Sequence, residues 1–250
     1  MRETSIASAK LTYYPILAHA RPPELPMLVV HHLDNSRSQR VLWLLEELGI
    51  PYEIAQYRRD PQTMLAPPAL RAVHPLGKAP IVTDGDLILV ESGAIIEYLI
   101  DRYGEGGFAP PAGSPERLRY TQWLHYAEGS LMPPLLLKLV FDRVETAKVP
   151  FFVKPIAKGI AHKVRHDFID PQLRLHLDYL EAELQRSEWF AGNDFSGADI
   201  QMSFPLEAAA AGGGLGRNRP RLAAWLERIH ARPAYRRALD RGGPYALLGA

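Results

Sequence analysis

The chain has 250 residues, 47% of them hydrophobic, which is enough for one large or two modest domains with a sizeable core. Lys and Arg total 29 against 28 Asp and Glu, a net charge of +1 that gives no electrostatic ground for partners such as nucleic acid or an anionic membrane. The absence of cysteine excludes a disulfide framework, a cysteine nucleophile and a thiolate metal site, and no apolar run approaches the ~18 residues of a membrane span.

Residues 1–26 show neither a helical nor a strand period. Leu11 to Ala20 is mildly apolar but broken by Pro15 and His19, and Arg2 and Lys10 flank it too thinly for a signal peptide, so a flexible leader is expected. Met27 to His32 reads as a strand. Ser36 to Leu48 reads as a helix, with Val41, Leu44, Leu45 and Leu48 at core spacing, Gly49 at its end and Pro51 beyond. Tyr52 to Tyr57 alternates as a second strand, and after a polar, proline-broken stretch Ala69 to Val73 makes one or two helical turns.

Ile81 and Val82 precede Asp84-Gly85 and Leu87 to Val90 follow, which predicts a tight hairpin. Pro80, at the hairpin's start, cannot donate to a ladder, and a tight or cis geometry there leaves the N–H and C=O of Ala79 to an extended ligand. After Val90 the period switches to helical at Glu91-Ser92-Gly93, with Ile95, Ile96, Leu99 and Ile100 as the apolar face of a helix to Arg102. A helix that opens on Ser with free N–H groups suits a carboxylate. The resulting order, βαβαββα, implies a parallel strand pair with an antiparallel hairpin at one side.

Gly and Pro between Gly104 and Pro115 leave neither helix nor strand and mark a linker. Beyond it every periodic stretch is helical: Glu116 to Thr146, Pro155 to Arg186, Ala198 to Ala211, Pro220 to Ala231 and Pro233 to Arg241. Breaks fall at Pro150, Gly192 and Gly212 to Gly216, which predicts an all-α second half. Ser196-Gly197-Ala198-Asp199 has the form of a capping box at a buried helix start. The expected division is a leader over 1–26, an α/β domain over 27–103, a linker over 104–113 and a helical domain over 114–250.

The run Gly77-Lys78-Ala79-Pro80, followed after the hairpin by Glu91-Ser92-Gly93-Ala94-Ile95, resembles the glutathione-binding half of the soluble glutathione S-transferases. The likeness extends from Met27 to nearly the C-terminus. His31-x-Leu33-x-x-Ser36-Arg37 is most similar to a serine-type branch of fungal and bacterial members. The resemblance implies a thioredoxin-like N-terminal α/β domain and an all-α C-terminal domain, glutathione as co-substrate, a small hydrophobic electrophile, a homodimer and a cytoplasmic location. By resemblance, Ala79 beside a cis Pro80 pairs with the cysteinyl backbone of glutathione. Glu91 and Ser92 take the γ-glutamyl end, and Lys78 lies beside the glycyl carboxylate.

A thiol titrates near ~8.5 and only its thiolate attacks electrophiles, so the site must favour that anion. The first helix begins at the Asn35–Ser38 loop, and its free N–H groups and dipole point toward a sulfur placed there. Counted back from Arg40, which matches the family's first-helix arginine, the activating position falls at Asn35 or Ser36. Ser36 is preferred, with Asn35 in support; Ser38 lies inside the first turn. Plain helix capping is the other reading of both. Without cysteine the mixed-disulfide route is closed, while conjugation and glutathione-dependent peroxide reduction are both open. A non-catalytic binding module on the same fold is the alternative from another class.

The electrophile pocket is expected between the domains, lined by Tyr126, Met132, Leu135 and Phe141, with Pro133-Pro134 bending that helix toward the cleft; ordinary core packing competes for each. His162 and His166 share a helix face but lack a third ligand and sit among Lys158, Lys163 and Arg165, which reads as a solvated basic face, so no metal is expected. His31 and His32 point to opposite faces of a strand. Gly212 to Gly216 lacks the Gly-Lys-Ser/Thr of a phosphate loop and reads as a turn.

Overall fold

The computed structural model describes residues 28–212, 214–215, 218–243 and 245–246. The expected leader, Met27 and part of the Gly212–Gly216 turn lie outside them. Four strands form one mixed sheet: β1 (Leu28–Leu33), β2 (Glu53–Tyr57), β3 (Ile81–Asp84) and β4 (Leu87–Val90), in the order β2-β1-β3-β4. β1 runs parallel to β2 and antiparallel to β3, and β3 and β4 form the hairpin. With α1 (Ser38–Leu48), α2 (Pro68–Val73) and α3 (Ser92–Tyr103) this is the βαβαββα order the periodicity predicts. Val41 to Leu45 of α1 are fully buried, as are Ile95, Ile96 and Leu99 of α3, and these apolar stripes form the core over one face of the sheet.

α1 starts two residues later than its periodicity suggests. Asn35 takes a left-handed φ of 48°, and the Ser36 hydroxyl accepts the Ser38 N–H at 3.2 Å, so a side chain replaces the turn's backbone bond and Asn35 to Arg37 stay outside the helix.

The second half is helical: α4 (Pro115–Tyr126), α5 (Met132–Glu145), α6 (Lys154–Val164), α7 (Asp170–Arg186), α8 (Gly197–Ala211), α9 (Pro220–Ala231) and α10 (Pro233–Gly242). The two long helices expected from periodicity are each divided by a π-helical turn, Ala127–Leu131 and Arg165–Ile169. Proline explains both. Pro133, Pro134 and Pro171 have no N–H for the carbonyl four residues back, and the ladder widens just before them, with Met132 donating to Ala127 and Asp170 to Arg165.

α8 is the central helix of this half. The Ser196–Asp199 capping box opens it, and the Asp199 carboxylate also accepts from the Phe190 N–H and the Trp225 indole. Gly197 lets it nest on α3, since a Cβ there would meet Ile100 Cδ1 at 2.6 Å. α10 returns to α1, where Glu46 takes Arg237 and Arg241 and Glu47 takes Arg232. Among the described residues no helix is long and apolar enough to cross a membrane.

Candidate active site

Strand register brings three distant segments to one end of the sheet. His31 of β1 is paired with Ile81 of β3, and Ile81 with Val90 of β4. The loop after β1, the Ala79–Pro80 bond before β3 and the Glu91–Ser92 turn after β4 therefore lie side by side. Two strand spacings cover about 10 Å, the reach of an extended tripeptide.

The Ala79–Pro80 bond is cis. Among the described residues neither the N–H nor the C=O of Ala79 has a hydrogen-bond partner. Glu91 adopts φ 68° and ψ 116°, a costly conformation for a residue with a Cβ, and its carboxylate is exposed. It turns the chain from β4 into α3, whose first bond runs from the Ile95 N–H to the Glu91 carbonyl at 2.9 Å. The N–H groups of Ser92 to Ala94 are left for an anion. Lys78 is exposed at the same edge.

Beneath this turn is a buried charge network. Arg40 donates to the Ser92 hydroxyl at 2.8 Å, to the Gln201 carbonyl and to Glu128. Glu128 also takes Arg37 at 2.8 Å, and Gln201 reaches the Ser92 hydroxyl at 3.4 Å. Burial would raise the Glu128 carboxyl, but Arg40 and Arg37 hold it below its ordinary value. Burial lowers Arg40 despite Glu128, yet a guanidinium keeps its proton. The sequence marks Arg40 and Ser92 but not Glu128, which reaches Arg40 from the π-helical turn; the proline pair that causes the turn is the one local signal.

The loop after β1 is held from several sides. The Arg59 N–H donates to the Asp34 carboxylate at 2.8 Å, and its guanidinium donates to the Asp34 and Asn35 carbonyls. The Asn35 side-chain oxygen accepts the Ala246 N–H at 2.6 Å, so it faces the C-terminal segment. Ser36 is buried, with its hydroxyl 2.7 Å from that of Ser38. Ser38 in turn lies 2.9 Å from His32 Nδ1. Ser36 both caps Ser38 and stands at the mouth of α1.

The four residues expected to meet an electrophile follow one another along α4 and α5. Met132 and Leu135 are buried in the core, and Phe141 packs half-buried against it. The Tyr126 hydroxyl is 2.5 Å from His176 Nδ1, and its ring stands edge-on to Trp123 at 5.1 Å. Burial pushes that phenol well above its ordinary value. His162 and His166 stack at 6.0 Å on an exposed face, with His166 against Asp167. His31 bonds to Tyr57 at 3.1 Å, on the other face of β1 from His32.

The N-terminal domain model of glutathione S-transferases matches residues 36–102, and the C-terminal domain model matches 145–233. The chain is 37% identical over 215 residues to Glutathione S-transferase 3 of Schizosaccharomyces pombe, covering 86% of this chain and 88% of that protein. It is 33% identical over 225 residues to Glutathione S-transferase 1 of Saccharomyces cerevisiae, covering 84% and 93%. A crystal structure of a glutathione S-transferase from Actinobacillus pleuropneumoniae superposes with a TM-score of 0.74 at 32% identity, over 90% of this chain and 97% of that one. A sphingomonad glutathione S-transferase complexed with glutathione does so with a TM-score of 0.65 at 25% identity, over 86% and 98%. By both domain matches and by these identities the chain belongs to the glutathione S-transferase family, enzymes whose co-substrate is glutathione.

Proposed function

We propose that this protein binds glutathione across the end of its sheet, stabilises the thiolate at Ser36 and conjugates it to a small hydrophobic electrophile. The observation that carries this reading is the register that aligns the Ser36 loop, the cis Ala79–Pro80 bond and the Glu91–Ser92 turn. Ala79 offers the cysteinyl residue an N–H and a C=O, with Pro80 shaping the bend. The α3 N-terminus at Ser92 receives the γ-glutamyl carboxylate with Arg40 beneath it, and the exposed Glu91 carboxylate takes the α-ammonium. Lys78 pairs with the glycyl carboxylate. Asn35 supports the loop through its contact with Ala246.

In this reading 27–103 is the glutathione-binding domain and 114–250 the helical one. Tyr126, Met132, Leu135 and Phe141 form the electrophile wall, Met132 and Leu135 as its backing. No metal takes part. A homodimer and a cytoplasmic location belong to the same reading, supported by likeness to the family. Peroxide reduction by the same thiolate is the nearest alternative activity.

Calorimetry of glutathione binding to the wild type and to Ser92→Ala tests the site. Ser92→Ala is expected to bind at least about tenfold more weakly, about 1.4 kcal/mol. Equal affinity in the two proteins would remove the γ-glutamyl site from Ser92, and no binding to the wild type would overturn the reading.

A further inference from the structure

His32 has no part in the site described so far, yet it ends a hydrogen-bonded chain that begins at Ser36. Its ring is buried between β1, α1 and α10, 2% exposed. Nε2 lies 3.1 Å from the Gly242 carbonyl, which can only accept, so Nε2 carries the hydrogen and Nδ1 of the neutral ring is an acceptor. Ser38 Oγ, 2.9 Å away, therefore donates to Nδ1; its other acceptor, the Leu33 carbonyl, is farther at 3.3 Å. With that single hydrogen committed, the 2.7 Å contact between the two serines takes the hydrogen of Ser36. The Leu33 N–H fills the remaining lone pair of Ser38 at 3.3 Å. The Ser36 hydrogen thus points inward, and the Ser36 oxygen, which also accepts the Ser38 N–H at 3.2 Å, keeps one lone pair as an acceptor.

We propose that His32 is the proton acceptor for the glutathione thiol, reached through the Ser36 and Ser38 hydroxyls. The proposal rests on the reading of Ser36 as the residue beside the sulfur. The thiol hydrogen passes to Ser36 Oγ as Ser36 gives its own to Ser38 and Ser38 gives its own to His32 Nδ1. One S–H bond breaks, one N–H bond forms, and each hydroxyl loses one hydrogen and gains another. A neutral thiol and imidazole become a thiolate and an imidazolium. The same shift leaves Ser36 with its O–H turned outward, donating to the new thiolate. After conjugation the proton returns by the same route to the leaving group or to water. His32 and Ser38 touch no substrate and are positioning residues.

The surroundings suit a neutral base. Burial lowers the His32 imidazole below its ordinary value, while the Gly242 carbonyl and Asp34 oppose the shift and favour the imidazolium once formed. α1 presents Ser38 and uncharged Gln39, β2 presents uncharged Gln56, which also donates to the Gly242 carbonyl at 3.2 Å, and α10 presents Gly242. A Cβ at Gly242 would stand 2.6 Å from Gln39 Oε1 and 2.8 Å from Leu42 Cδ1, so only glycine brings that carbonyl to the ring.

The test is the thiolate absorbance of bound glutathione, followed from about pH 5 to 9, in the wild type, His32→Asn, Ser38→Ala and Ser38→Thr. The midpoint should rise by at least about one pH unit, tenfold less thiolate, in His32→Asn and Ser38→Ala. Ser38→Thr keeps the hydroxyl and should match the wild type. A midpoint unmoved in His32→Asn and Ser38→Ala overturns the relay, since a clamp for α10 would change stability and not this titration. Nitrogen NMR of His32 in the wild-type protein is a second reading that needs no folded variant. Glutathione should convert the ring to imidazolium and S-methylglutathione, which has no thiol hydrogen, should not; identical spectra with the two ligands contradict the proposal. Glutathione bound to the wild type without a thiolate band at any pH would instead remove the role of Ser36 itself, and the relay with it.

Discussion

Arg40 keeps its charge at 2% exposure because Glu128, the Gln201 carbonyl and the Ser92 hydroxyl surround it. Removing one partner from such a group leaves the other charge stranded, which costs more than the pair contributes. Arg40→Met is therefore expected to lower stability by about 3 kcal/mol in urea denaturation. It should also raise the KM for glutathione, since Ser92 loses its anchor. A change within about 0.5 kcal/mol would mean that Glu128 finds full compensation in Arg37 and solvent. Where the geometry is local, as at the Ala79–Pro80 bond before β3 and at Ser92 opening α3, the sequence shows it, since a proline before a strand and a serine at a helix start announce themselves. Glu128, Gln201 and Gly242 are not legible in the sequence. They reach Arg40 or His32 across 88, 161 and 210 residues, and no pattern in a single sequence encodes that packing.

At the scale of elements, α10 is tied to α1 through Glu46 and Glu47, and Glu46 carries most of the bonds. Glu46 accepts from Arg237, from Arg241 and from the Tyr52 hydroxyl. Burial alone would raise its carboxyl, but these donors hold it below its ordinary value. The bonds therefore add stability above the usual carboxylate range near ~4.3, and that stability is lost as pH falls through the depressed value. The arginines are half-exposed, so the contribution is about 1 kcal/mol. Urea midpoints measured at pH 7 and again in acid should fall further in the wild type than in Glu46→Gln. Equal falls would place the acid sensitivity elsewhere. Because α10 ends at Gly242, loosening this tie would also free His32. The elements themselves are legible from periodicity in order and type. The late start of α1 and the two π-helical turns are not, because they come from a side chain replacing a backbone bond and from prolines acting on the preceding turn.

Across the whole molecule the sheet and the helical half meet at the same place. The sheet's register gathers Ser36, Ala79 and Glu91, and the helical half supplies Glu128 and Gln201 beneath Ser92 and Gly242 behind His32. The two halves thus meet at the candidate site, and a thioredoxin-like sheet alone would leave Arg40 without Glu128 and the Gln201 carbonyl and His32 without the Gly242 carbonyl. The central claim is that Ser36 stabilises a glutathione thiolate, and the direct measurement is the ultraviolet difference spectrum of bound glutathione at neutral pH in the wild type and in Ser36→Ala. A thiolate band in the wild type that is lost in Ser36→Ala, with glutathione affinity changed only about two- to threefold, is the predicted result. A band of equal size in both proteins would contradict it.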